Sequence, residues 1–209
     1  MITSRNVMRL MNTLYLILFF TYLFLPLIFM SVVAFNTSEI PQAVPWKGFT
    51  FSWFGKLFED GQMWDALLNS VIVAFSVVII SVPGGLSAAL ILTRLQFKAQ
   101  DMVYAIMVSP ILIPGIVLGI STFLFWDSFF DVQGGLWTAI MGQSSFIVSY
   151  SMLLIMSRAQ RFDTTQEEAA FDLGAGHGRV FFKITLPFLK PALISSAGLA
   201  FMQSFENYN

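Results

Sequence analysis

Four stretches of this chain run for 25 residues or more without a charged side chain, and that spacing limits its possible folds more than any other property. Arg9 to Glu39 encloses 29 uncharged residues, Asp65 to Arg94 encloses 28, Asp101 to Asp127 encloses 25 and Asp131 to Arg158 encloses 26. A helix needs roughly 20 apolar residues to cross about 30 Å of hydrocarbon, so each stretch is long enough to span a bilayer. The apolar parts predict spans at 14–35, 66–93, 102–126 and 136–157. Unpaired backbone groups are costly in lipid and the alternation of a barrel strand is missing, so the spans are expected to be helices.

A fifth span is expected at about 188–206, although Lys190 to Glu206 encloses only 15 uncharged residues. At 1.5 Å per residue these cover about 22 Å, roughly two turns short. Snorkelling of Lys190 relieves part of the deficit, and the rest puts Glu206 near the far interface or in a wet cavity. Either this helix ends the protein or the sequence stops short of a longer one.

Charged residues make up 11% of the 209, hydrophobic residues 56%, and the mean hydropathy is +0.75. An ordinary soluble domain carries roughly a quarter charged residues, so a soluble enzyme and a disordered chain are both excluded. The basic residues are scattered and the net charge is -1, which leaves no cationic stripe for nucleic acid. Cysteine is absent and His177 is the single histidine, so neither a disulfide framework nor a metal site is expected. Nine Lys and Arg fall on one set of loops (Arg5, Arg9, Arg94, Lys98, Arg158, Arg161, Arg179, Lys183 and Lys190) and only Lys47 and Lys56 on the other. By the positive-inside rule the amino terminus is cytoplasmic. The first apolar run is long and "SVVAFN" lacks an A-x-A-like cleavage site, so it is read as a retained anchor rather than a signal peptide.

Two loops stand out. The outer one, Asn36 to Asp65, carries Pro41, Pro45, Trp46, Trp53 and Trp64 and reads as an interfacial segment. The inner one, 158–190, holds five of the eleven basic and four of the twelve acidic residues. Thr164 with Glu167, and Thr165 with Glu168, each fit a capping box opening a helix. Phe162, Ala169, Ala170 and Leu173 are expected on one side, with Glu168 and Asp172 on another. Gly174, Gly176 and Gly178 end this helix, a second short helix is expected from Arg179 to Leu186, and Pro187 and Pro191 are expected to bend the chain back into the bilayer. Such a helix-turn-helix suits either a protein grip or a membrane surface; its carboxylates favour a protein, because anionic leaflets repel them. In the third span, Pro110, Pro114, Gly115 and Gly119 permit a kink.

Here the sequence resembles the membrane-spanning permease subunits of ABC importers that work with a substrate-binding protein. Their signature reads E-A-A, three residues, G, nine residues, I-x-L-P. Glu168, Ala169, Ala170, Gly174, Ile184, Leu186 and Pro187 match every defined position. Asn69 with Ser70, "SPILIPGIVLGIS" over 109–121 and "SFENYN" over 204–209 look most like the spermidine/putrescine branch, while branches for ferric iron, sulfate, molybdate or thiamine share much of the pattern.

The resemblance implies an all-α, polytopic transmembrane helical bundle of the type I ABC importer permease fold, a single transmembrane domain over 1–209 with about five helices present and a sixth beyond Asn209. It implies a place in a bacterial-type cytoplasmic (inner) membrane, a second permease subunit, a dimer of cytoplasmic ABC ATPases and an extracytoplasmic solute-binding protein. In the family the loop helix couples to the ATPase. Glu168 would supply polar contacts, Ala169 and Ala170 close approach, and Gly174 the turn. No G-x-x-x-x-G-K-[ST] occurs, so ATP hydrolysis is expected on the partner, and neither catalytic residues nor a cofactor are expected in this chain.

The substrate path is expected among the spans. Asn69 and Tyr150 are polar at membrane depth, as are Gln143, Ser144, Ser145, Ser149 and Ser151. Glu206 at a span end, with Asn207 and Tyr208 beside it, would suit a polyamine cation through its carboxylate and cation-π attraction. A self-contained secondary transporter or channel predicts ion-coupling carboxylates or histidines inside the four long spans, and none is visible there.

Overall fold

Runs of this length in lipid fold as helices because a helix pairs each backbone N–H and C=O within its own segment. The computed structural model describes residues 4–207, with side chains from Asn6 onward. Its helices are α1 (Ser4–Val33), α2 (Ser52–Glu59), α3 (Gly61–Arg94), α4 (Gln100–Val108), α5 (Gly115–Phe130), α6 (Leu136–Ala159), α7 (Thr165–Asp172), α8 (His177–Val180) and α9 (Leu186–Phe205). A 3-10 turn, Ser109–Leu112, follows α4, and a π turn, Phe181–Thr185, joins α8 to α9. Among the described residues α1, α3, α6 and the run His177–Phe205 are long and apolar enough to cross a membrane, and α4 with α5 adds a fifth span if counted as one.

Two expectations are corrected by the course of the chain. The third apolar run, expected as one span over 102–126, breaks into Gln100–Leu112 and Gly115–Phe130, bent by 106°. Pro114 has no N–H for the Pro110 carbonyl and drives Ile113 into an extended conformation (φ -94, ψ 131), while the Ile113 N–H turns back to Pro110 at 3.3 Å. By contrast, Pro187 and Pro191 do not interrupt the last helix, which runs for 29 residues, about 43 Å. Pro187 falls in the first turn of α9, just after the π turn, whose wider winding accommodates a ring that would otherwise strike the preceding carbonyl. The apparent deficit of the fifth span disappears because the helix begins at His177, well before Pro187.

The chain divides into two units after Trp64. In the first, α1 presents its Leu, Phe and Ile side chains outward, with no buried residue in its apolar window, as expected of a surface that faces lipid or another helix. Asn36 organises the loop that follows. Its side-chain amide donates to the Gln42 carbonyl at 2.7 Å, its Oδ1 accepts the Lys47 N–H at 3.0 Å, and its carbonyl accepts the Trp53 indole N–H at 2.9 Å. Phe35 stacks on Phe49 with ring centres 5.3 Å apart. The expected interfacial segment is thus a hydrogen-bonded turn with an aromatic face.

In the second unit α6 packs against α3, α5 and α9. Val73 and Val77 of α3, Ile140 and Ile147 of α6 and Ala200 of α9 form one buried cluster; Ala89 and Leu92 of α3 with Met152 and Ile155 of α6 form another. Small residues line these seams: Ser81, Gly85 and Ala89 on α3, and Ala192, Ser196, Ala200 and Ser204 on α9, all buried at four-residue spacing. Lipid gives no hydrophobic drive for helices to associate, so close backbone approach supplies the contact. At Gly85 a Cβ would stand 2.6 Å from the Ser151 Cβ and 2.7 Å from the Met152 nitrogen. Only glycine lets α3 lie this near α6.

Candidate functional site

The loop between α6 and α9 is built around one buried carboxylate. Thr164 occupies the N-cap of α7, but its side chain makes no capping bond. The expected capping boxes do not form. Instead the Asp163 carboxylate accepts the Thr165 hydroxyl at 2.7 Å and the Thr165 N–H at 3.0 Å, bonds that lower its pKa. Glu167 is thereby freed and turns inward, 8% exposed. Its Oε2 accepts from the Arg94 guanidinium at the end of α3, and its Oε1 accepts from the Thr185 hydroxyl at the end of the π turn. Burial pushes the Glu167 carboxyl up, but the bonds from Arg94 and Thr185 and the charge of Arg94 outweigh it, and the net shift is downward.

Aromatic rings extend this anchor. The Arg94 guanidinium lies 5.4 Å from the centre of the Phe162 ring, and Phe162 packs edge-on against Phe188 at 5.0 Å. Arg158 stands over the other end, 4.5 Å from the Phe188 ring centre, with its Nε donating to the Phe188 carbonyl at 3.2 Å. Phe162 therefore does not share an exposed helix face with Ala169 and Leu173. It precedes α7 and packs inward.

The outward side of α7 carries the signature. Glu168 and Ala169 are exposed, Ala170 is half-buried, and Leu173 is 89% exposed. Gly174 ends the helix at φ +81, with its N–H bonded to the Phe171 carbonyl at 2.8 Å and the Ala175 N–H bonded to the Ala170 carbonyl at 3.0 Å. That pair of bonds is a Schellman motif, whose left-handed residue is most readily glycine. His177 packs edge-on against Phe171 at 4.8 Å. Ile184 and Leu186 are half-buried where the π turn meets α9, and Pro187 is exposed. The fold thus gathers Glu168, Ala169, Ala170 and Gly174 on one short rod and puts Ile184, Leu186 and Pro187 at the foot of a long helix.

The residues expected along a substrate path are scattered. A cavity of about 380 Å³ opens between α5, α6 and the end of α9, lined by Gly115, Gly119, Thr138, Gln143, Phe146 and Asn207 among others. Asn207 is among its lining residues, and Gln143 accepts a hydrogen bond from Ser204 of α9. Asn69, Tyr150 and Glu206 do not line it: Asn69 is exposed on α3, Tyr150 is half-buried in α6, and Glu206 is exposed at the C-cap of α9. Tyr208 lies outside the described residues. Thr138 had no expected role, Glu167 was expected in a capping box, and Arg94 was expected only as one of the inner-side cations. The one signal for that pair was a second acid beside the signature and a lone arginine closing a span.

Comparison with known proteins accords with this geometry. The family model of the binding-protein-dependent transport system inner membrane component matches residues 81–208. The putrescine transport system permease protein PotI of Escherichia coli strain K12 is 31% identical over 198 residues, covering 92% of this chain and 70% of that protein. The spermidine/putrescine transport system permease protein PotC of Haemophilus influenzae is 31% identical over 192 residues, covering 90% and 72%. In three dimensions the chain superposes on a bacterial ABC transporter involved in the import of the acidic polysaccharide alginate, with a TM-score of 0.72, 18% identity, and coverage of 95% of this chain and 73% of that one. With its exposed signature rod and its multi-pass helical bundle, the chain belongs to the binding-protein-dependent transport system inner membrane components, as a permease subunit of an ABC importer.

Proposed function

We propose that this permease imports polyamines, putrescine or spermidine, and that α7 is the coupling helix gripped by a separate cytoplasmic ATPase. The observation that carries the coupling role is the two-sided construction of α7: Glu167 is tied inward while Glu168, Ala169 and Leu173 stand outward. Exposing a leucine almost completely on an otherwise anchored helix suits a protein socket. When two ATPase subunits close on ATP, a docked rod moves with them and carries the spans between inward-open and outward-open states. The excess of Lys and Arg on the α7 side supports a cytoplasmic position for this loop and for the amino terminus.

The polyamine reading is supported by the relatives that transport putrescine or spermidine. The assembly comprises this chain, a second permease subunit, two ATPase subunits and an external binding protein that delivers cargo. The cavity beside Gln143 and Asn207 is the candidate stretch of the substrate path, and Glu206, which precedes Asn207 in the sequence, is the candidate cation-attracting group. The test is uptake of labelled putrescine and spermidine by cells whose own polyamine importers are deleted, complemented by this chain with its cognate subunits. Saturable, ATP-dependent uptake is expected. Absence of uptake of either amine, with a thermal shift of the cognate binding protein by a different solute, would contradict the polyamine assignment.

A further inference from the structure

We propose that Glu167 is a positioning residue that clamps α7 to two spans at once, to α3 through Arg94 and to the foot of α9 through Thr185, so that a push on α7 reaches both. The inference rests on the reading of α7 as the coupling helix. None of the three residues is among the seven signature positions.

An eight-residue helix is marginal by itself, so α7 must be held by tertiary contacts to transmit force. Burying a carboxylate is costly unless it is paired and its oxygens are satisfied, and here each oxygen has its own partner from a different element. The carboxylate is not needed to start α7, because Asp163 caps the turn. Thr185 is 2% exposed and closes the π turn, a local widening often found where a helix serves a function. Arg94 is the last residue of α3, and its guanidinium also faces the Phe162 ring. One side chain therefore joins three elements that the sequence separates by 73 and 18 residues.

The chain has no cysteine, so spin labels can be placed cleanly. Labels at Gln166→Cys on α7, paired with Ile91→Cys on α3 or Ile194→Cys on α9, report the two arms in the complete importer reconstituted in nanodiscs, nucleotide-free and trapped with ATP and vanadate. With Glu167 present, both distance distributions should be narrow in both states. Glu167→Gln should broaden both and reduce ATP-driven uptake at least about tenfold, the loss expected for a charge-assisted hydrogen bond, while the ATPase still co-purifies. Arg94→Gln should broaden only the 166–91 pair and Thr185→Val only the 166–194 pair, which keeps the test open if Glu167→Gln fails to insert. Narrow distributions in all three variants would overturn the clamp. Failure of the ATPase to co-purify with the unsubstituted chain would instead overturn the coupling reading and leave the distance result to judge the clamp alone.

Discussion

Glu167 and Glu168 are neighbouring carboxylates turned to opposite surroundings, one sealed against Arg94 and Thr185 and one facing water. This difference has a pH consequence. Glu167 titrates below its ordinary value of 4.5, so its contribution to holding α7 is fully present above that value and is lost only as pH falls through the lower folded value. A spin label at Gln166→Cys should be equally immobile from pH 8 to about 5 and should gain mobility on further acidification. Mobility rising already between about pH 7 and 6 would place the anchor elsewhere. At Gly174 the constraint is conformational rather than steric, since a Cβ there would meet nothing within 4 Å but φ is +81. Gly174→Asp should insert normally and abolish ATP-dependent uptake; normal ATPase association and uptake in that variant would count against the turn's role in coupling. Glu206 stands exposed at the end of α9. If it attracts polyamine cations, Glu206→Gln should lower uptake several-fold, and an unchanged rate would remove it from the path.

At the scale of helices, packing turns on small side chains rather than large ones. Gly85→Ala forces a Cβ into the Ser151 and Met152 backbone and should destabilise the bundle by about 1–3 kcal/mol, as overpacking does. The buried Ser196 hydroxyl has no hydrogen-bond partner among the described residues, so its size suits the seam more than its polarity. Ser196→Ala should therefore leave thermal stability in detergent within about 0.5 kcal/mol, whereas Ser196→Leu should lower it strongly. A large loss in the alanine variant would mean that the hydroxyl is bonded in the membrane. The spans were legible in the sequence because a charge in hydrocarbon is costly, and the gaps between charges trace that cost directly. The broken third run was only half legible. Pro110 and Pro114 marked its place but not the 106° angle between its two halves. The start of the last helix was misread for a related reason: two prolines suggested that it begins near residue 188, whereas it continues from His177 through a π turn that leaves no pattern in side-chain chemistry. The Glu167 clamp was invisible because its partners are distant in sequence and the local capping pattern offered Glu167 a plausible alternative bond.

For the whole molecule, the exposed apolar surface of α1 and the open side of the cavity by α5 and α6 are those of a subunit that works among lipids and other chains. The signature loop was the most legible candidate site, since a seven-position match carries its own spacing; its division into an anchored and a presented side was not legible. The central claim is that the presented side of α7 faces the cytoplasm and is covered by an ATPase. The most direct measurement uses a single cysteine, Leu173→Cys, in sealed vesicles of known orientation, treated with a membrane-impermeant maleimide with and without the cognate ATPase. Labelling is predicted only from the cytoplasmic face, with protection when the ATPase is bound. Labelling from the outer face, or equal labelling in the presence and absence of the ATPase, would contradict the account.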